Sequence, residues 1–296
     1  HYYPYGGLTG ESTGGSVQPY KYNGKELERT AGLDLYDYGA RWMDSKVGAR
    51  FTTMDPMCEK YYDISPYAYC AGNPVNLVDL HGDSISFWNL IEFDKLCKTN
   101  YAENILEDLR AQTGLNLYFE NGFLNYFTDE DGNPIINSDV SDDGMTYQIG
   151  SETARSLIIS GIDNYQTVEV SIGRETGVPR QSNRIGINVN QVSSLIKGTH
   201  NMDNRTLGWG MTFMHEFLHT VVGGAHKDST IPWQTGPVVD TINTIRTELN
   251  RKGGNYGLRM QYIATPIHSK AYIPFDKVSA GNIRSGFVPF TKYICF

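Results

Sequence analysis

The chain has 296 residues, with 33 acidic against 25 basic side chains, a formal charge of −8, and 40% hydrophobic and 20% charged residues. These are the proportions of a globular protein long enough for two domains. The acidic balance argues against a nucleic-acid partner, whose footprint is clustered positive charge, and no apolar run approaches the ~20 residues of a membrane span.

The opening His1-Tyr2-Tyr3-Pro4 is neither an initiator Met nor a basic-then-apolar signal, so the chain reads as a piece of something longer. Residues 1–82 are dense in Tyr and Gly, with turn-forming pairs such as Asn23-Gly24 and Asn73-Pro74. Tyr favours strands and Gly tight turns, which predicts short strands and hairpins. Only Lys25 to Arg29 suggests a helical turn. The cysteines Cys58, Cys70, Cys97 and Cys295 form no C-x-x-C pair. Free thiols are expected, with Cys58–Cys70 the one candidate bridge.

From residue 83 the pattern is that of a mixed domain. Ser84 to Trp88 alternates like a strand. Residues 101–113 put Ile105, Leu106 and Leu109 on one helical face, and Gly114 stops the helix. Leu115 to Tyr126 reads as two strands turning at Asn121-Gly122. The acids from Asp129 to Asp143 lack EF-hand spacing and read as a solvated loop. A short helix follows Ser151, then strands at Gln166 to Ile172 and Arg184 to Asn190, the latter a candidate border of a substrate cleft. An apolar helix is expected from about Leu207 to Val222, ended by Gly223-Gly224. Another runs from Val238 to Asn250, entered through Gly236-Pro237. From Gly257 the chain is strand-like and aromatic.

His215-Glu216-Phe217-Leu218-His219 is an H-E-x-x-H motif inside the apolar helix. Four residues advance a helix by roughly 400°, so both imidazoles leave the same face and can share one metal ion. Glu216 is placed to take a proton from a water activated by that ion and pass it to a leaving amine. The flanks Phe213, Met214, Phe217, Leu218, Val221 and Val222 are apolar, which makes unliganded polar groups there costly.

Two residues compete as third ligand. Gly223 to His226 is similar in spacing to the metzincin extension, although Gly223 lies one residue further from His219 than in that family. Asp240 resembles the aspzincin arrangement, in which a carboxylate near the start of the next helix completes the site, although in aspzincins it follows the second His more closely. Glu248, two turns further along, is a weaker gluzincin-like candidate. Tyr256, Tyr262 and His268 are downstream candidates for stabilising an oxyanion.

The first 82 residues carry a second resemblance. Tyr36-Asp37-Tyr38-Gly39-Ala40-Arg41-Trp42-Met43-Asp44 looks like the start of the RHS repeat-associated core domain. Gly48-Ala49-Arg50-Phe51, Thr53-Met54-Asp55-Pro56, Ser65-Pro66-Tyr67-Ala68-Tyr69 and Asp79-Leu80-His81-Gly82 continue the match. The resemblance implies the end of a large β-rich shell protein at the cell surface or secreted, followed by a variable effector, commonly a toxic enzyme with a cognate immunity protein. Some family members cleave themselves after the core using aspartates that match Asp44 and Asp55. Here Asp79-Leu80-His81-Gly82 replaces the family's Asp-Pro-x-Gly, and Ala49 is an insertion.

These readings combine into an α+β expectation. Residues 1–82 form a small β-rich RHS-core segment. Residues 83–296 form a zincin-like domain with its active-site helix packed on a mainly antiparallel sheet. The expected function is a zinc-dependent metallopeptidase with one Zn2+ per chain, acting on a protein or peptide substrate. The alternative is a non-catalytic surface module with a structural metal, for which a closed set of four protein ligands would be the mark.

Overall fold

The computed structural model describes residues 3, 5–8, 19–38, 41–46, 48, 50–54, 65–69, 72, 85–120, 122–141, 143–164, 166–286 and 291–296. The fold is α+β, and the chain divides into two compact units, His1–Asp83 and Ser84–Phe296.

In the first unit, β1 (Glu26–Glu28), β2 (Leu35–Asp37), β3 (Trp42–Asp44) and β4 (Arg50–Phe51) form an antiparallel sheet in chain order. The stretch that suggested a helical turn is therefore β1. The register sets Tyr36 beside Met43 and Met43 beside Phe51, so one face carries the apolar side chains. Tyr38 and Tyr69 meet edge-on at 5.5 Å over this face, and Tyr38 meets Phe51 in the same way at 5.6 Å. Tyr thus supplies core area as well as strand propensity.

The second unit begins with β5 (Ile85–Ser86), which gives way at once to α1 (Trp88–Cys97) and α2 (Tyr101–Thr113). Lys98 turns left-handed at φ 56, and Asp94 Oδ2 accepts the Ala102 amide at 2.7 Å, joining the two helices. Gly114 ends α2 at φ 75, as its position predicts. The chain continues through β6 (Leu117–Glu120), β7 (Phe123–Tyr126), the exposed hairpin of β8 (Ser138–Val140) and β9 (Thr146–Gln148), α3 (Glu152–Ile162), β10 (Val168–Ile172) and β11 (Arg184–Ile187). Asn188 then caps α4 (Val189–Lys197) by accepting the Asn190 and Gln191 amides. Next come β12 (Thr199–His200), α5 (Trp209–Phe217), α6 (Pro237–Arg251), β13 (Thr265–Ile267), β14 (Lys270–Pro274), α7 (Lys277–Arg284) and β15 (Tyr293–Cys295).

The main sheet runs β11-β10-β5-β7-β6. Its pairings are mixed: β10 is parallel to β5 and β11, whereas β7 is antiparallel to β5 and β6. A second sheet, β12-β15-β14-β13, is antiparallel throughout. Helix α5 packs against α2, α3, α6 and β11. It inserts Met211, Phe213, Met214 and Phe217 into the main core, each such burial worth about 1.5–3 kcal/mol. At Gly161 a Cβ would lie 2.6 Å from the Phe217 ring, so α3 can approach α5 this closely only through glycine.

Candidate metal centre

Helix α5 is held at both ends. Asp108 of α2 accepts the Gly210 amide at 3.0 Å, satisfying a donor of the first turn although burial raises the Asp108 pKa. At the other end the helix stops at Phe217, well before the expected Val222. Thr220, Val221 and Val222 are β-branched and lose rotamer freedom in a helix. Thr220 Oγ1 instead donates to Phe217 O at 2.6 Å and accepts the Gly223 amide at 2.9 Å. A Cβ on Gly223 would lie 1.9 Å from Phe217 O, so only glycine fits. Gly224 turns at φ 99, and the chain folds back so that the His226 amide donates to Leu218 O at 3.0 Å.

This reversal brings Asp228 over the helix end. His215 Nε2, His219 Nε2 and Asp228 Oδ2 lie 3.2, 3.0 and 3.4 Å apart in the pairs His215–Asp228, His219–Asp228 and His215–His219. Their side chains are 10%, 18% and 12% exposed, respectively for His215, His219 and Asp228. These three residues form the group, among the described residues, that could hold a metal ion. His219 Nδ1 lies 2.7 Å from His226 O, so it donates there and leaves Nε2 free as the ligand atom. Asp228 Oδ1 is buried without a hydrogen-bond partner, an acceptor that a cation would satisfy.

The two expected third ligands lie elsewhere. The imidazole of His226 is exposed, and the residue serves the site through its carbonyl. Asp240 is exposed in the first turn of α6 and accepts Thr235 Oγ1 at 2.5 Å, where it favours the helix N-terminus. Glu248 accepts Ser151 Oγ, Thr153 N and Thr153 Oγ1, and so caps α3. Asp228 went unread because no helical periodicity links a loop residue to the motif. The usable signal was the closer carboxylate of the aspzincin pattern.

Electrostatics distinguish the groups. Burial lowers the His215 pKa and keeps that imidazole neutral, against the pull of Asp228. Burial also opposes protonation of His219, but Asp228, the His226 carbonyl and Glu216 outweigh it and push its pKa to about 8. Burial works to raise the Asp228 pKa, yet the two imidazoles hold it well below the usual carboxylate range. Glu216 is 8% exposed, and burial raises its pKa to about 7, partly offset by His219 and Arg259. The Glu216 carbonyl accepts the His219 amide at 3.0 Å, while its carboxyl has no hydrogen-bond or ion-pair partner among the described residues.

Tyr262 stacks parallel on His215 with ring centroids 5.9 Å apart. Burial and then the Asp228 carboxylate raise its pKa to about 12, without a hydrogen bond of good geometry closing on Asp228 Oδ1. Tyr256 is buried, its amide donating to Asn250 Oδ1 and its ring 5.8 Å from the Arg205 guanidinium, and His268 is exposed in the β13–β14 turn. The strand expected to border a cleft is an edge strand, although Gly177 bridges part of its outer side at Gly186. Ser182 O and Asn183 Oδ1, just before it, accept the Val221 and Val222 amides and so tie that edge to the turn after His219.

In the first unit, Asp44 accepts the Lys46 amide at 2.8 Å, a turn contact, and lines a shallow pocket with Arg50, Phe51, Thr52 and Tyr67. Asp55, Cys58 and Cys70 lie outside the described residues; Cys97 and Cys295 are free thiols. No helix among the described residues is long and apolar enough to cross a membrane.

Comparison of the chain with family models, with curated proteins and with solved structures finds no match.

Proposed function

We propose that residues 84–296 are a zinc-dependent peptidase. The observation that carries this reading is the buried, unpartnered Glu216 carboxyl beside a set of two imidazoles and one carboxylate. Two imidazole nitrogens disfavour calcium and magnesium, which take oxygen donors. For zinc bonds of roughly 2.0–2.1 Å, neighbouring ligand atoms of a tetrahedron stand about 3.3–3.4 Å apart, near the 3.0–3.4 Å separations of His215, His219 and Asp228. Three protein ligands leave a position open, the mark of a catalytic site, whereas a structural zinc is closed by four.

When bound, the metal supplies the Lewis acidity that activates water and polarises a carbonyl. His215 and His219 would hold it through Nε2 and Asp228 through Oδ2, and His226 O fixes the tautomer and orientation of His219. Glu216 takes a proton from the attacking water at its carboxylate and delivers it to the leaving amine nitrogen. The resemblance of residues 1–82 to the RHS core supports a further part of the proposal. The peptidase is the effector of an RHS-type surface or secreted protein, with the shell and an immunity protein as partners.

The test is elemental analysis after dialysis, together with turnover of a mixed peptide substrate. About one zinc per chain is expected in wild type, His226→Ala and Asp240→Ala, with none in His215→Ala or Asp228→Ala. Glu216→Gln should keep the zinc and lose hydrolysis. Iron in place of zinc would move the site to the ferrous class that shares this donor set, and no metal after reconstitution would end the peptidase reading.

A further inference from the structure

Arg259 is buried, at 9% exposed, beside the metal centre. Among the described residues no carboxylate lies within ion-pair distance of it, and Asp228 and Glu216 only partly offset the effect of its burial. Burying an unpaired guanidinium is costly, so its contacts must justify the position. Its main chain is pinned to α6 from both sides, with Arg259 N donating to Asn243 Oδ1 at 2.9 Å and Asn243 Nδ2 donating to Arg259 O at 2.8 Å. Its side chain then clamps the irregular segment that follows. Nε donates to Gln261 O at 3.0 Å, Nη2 donates to Tyr262 O, and Cζ lies 4.8 Å from the Tyr262 ring centroid. Tyr262 also ties to the ligand-bearing loop, its amide donating to Gln234 O at 3.0 Å.

We propose that Arg259 is a positioning residue for the metal centre: by clamping Gln261 and Tyr262 it holds the Tyr262 ring stacked on His215, bracing that ligand. The inference rests on the metal reading of His215, His219 and Asp228. Arg259 acts through Tyr262, and among the described residues no hydrogen bond or ion pair joins it to His215, His219 or Asp228. A guanidinium suits the task because its planar fork reaches two carbonyls at once, which a lysine ammonium on a flexible stem cannot do in the same geometry. Groups that orient metal ligands from outside typically change affinity by about ten- to hundredfold when removed.

The experiment measures Zn2+ affinity by competition with a chromophoric chelator, and the visible absorption of the Co2+-loaded protein. It compares wild type, Arg259→Lys, Arg259→Met, Tyr262→Phe and the Arg259→Met/Tyr262→Phe double variant. Arg259→Met should bind Zn2+ about ten- to hundredfold more weakly and alter the Co2+ spectrum, with little recovery in Arg259→Lys. The double variant should be no weaker than Arg259→Met alone, because both changes act on one contact. A residue that only supports the fold would lower the melting temperature of the metal-free protein and leave the Co2+ spectrum unchanged. Wild-type affinity in folded Arg259→Met, or losses that multiply in the double variant, would overturn the proposal. Should Arg259→Met not fold, Arg259→Lys decides, since it keeps the buried charge but not the fork that reaches two carbonyls: weaker Zn2+ binding supports the clamp and unchanged binding ends it. A wild type that binds no metal sinks the functional reading as well, whereas a metal-binding wild type with unaffected variants sinks this inference alone.

Discussion

The His219 ring is oriented by the main chain of His226: Nδ1 and the carbonyl oxygen stand 2.7 Å apart, while the His226 imidazole is exposed. Residue 226 is therefore part of the site by its backbone and replaceable in its side chain. His226→Ala should bind metal within about twofold of wild type in a chelator competition, since the bond that sets the His219 tautomer survives.

The backbone reversal that makes this bond possible depends on glycine. Gly223→Ala would press a methyl into Phe217 O, and backbone cannot yield as a flexible side chain can. The expected cost is about 2–3 kcal/mol or more in urea unfolding of the metal-free protein, with metal affinity reduced as Asp228 is displaced. An alanine variant with unchanged midpoint and affinity would show that the turn does not constrain the site.

Stability of the metal-free protein should fall as pH rises. His219 has its pKa raised from 6.5 to about 8, so the stability its protonated form contributes is complete below 6.5 and lost on passing through 8. Glu216 is raised from 4.5 to about 7, so the fold holds its proton longer than the unfolded chain does, and stability drops between those values. Both signs agree, whereas His215, whose pKa burial lowers, works the other way below 6.5. The melting temperature without metal should therefore be lower at pH 8 than at pH 6.5. Because the metal competes with the His219 proton, the gain on adding Zn2+ should be larger at pH 8 than at pH 6. Calorimetry in buffers of different ionisation enthalpy should detect proton release on binding near pH 7. An equal metal-induced shift at both pH values would contradict this assignment.

Ser151 and Glu248 separate fold from site. Ser151 Oγ accepts the Ala154 amide at 3.0 Å and donates to Glu248 at 2.6 Å. Ser151→Ala should cost about 1–2 kcal/mol, read from the chemical-denaturation midpoint, and Glu248→Ala should destabilise in the same direction. Zinc content should be unchanged in both. A Glu248→Ala protein that folds but loses its metal would reopen the gluzincin-like ligand set.

Glu216→Gln should retain zinc and reduce turnover by about 10²–10⁴-fold, the range associated with a positioned acid–base group. Retained activity would remove Glu216 from the mechanism.

Where short-range periodicity rules, the sequence by itself determined the outcome. The shared face of His215 and His219, kept although His219 lies in the turn just past the end of α5 at Phe217, the α2 face with its Gly114 stop, the β6–β7 hairpin and the helix after Ser151 follow locally from helix and strand repeat. The α4 helix was legible too, since Asn188 is a cap residue and Val192, Leu195 and Ile196 follow at helical spacing, but a strand reading ran through it. The third member of the metal group was not legible in this way. Asp228 reaches the histidines only because the helix ends early at Phe217 and the chain reverses at Gly223-Gly224. Arg259 and Tyr262 arrive from beyond α6, through Asn243 and the Gln234 amide contact. Periodicity relates residues that share one element, whereas loop return and packing between elements depend on contacts distant in sequence, and those belong to the tertiary structure alone.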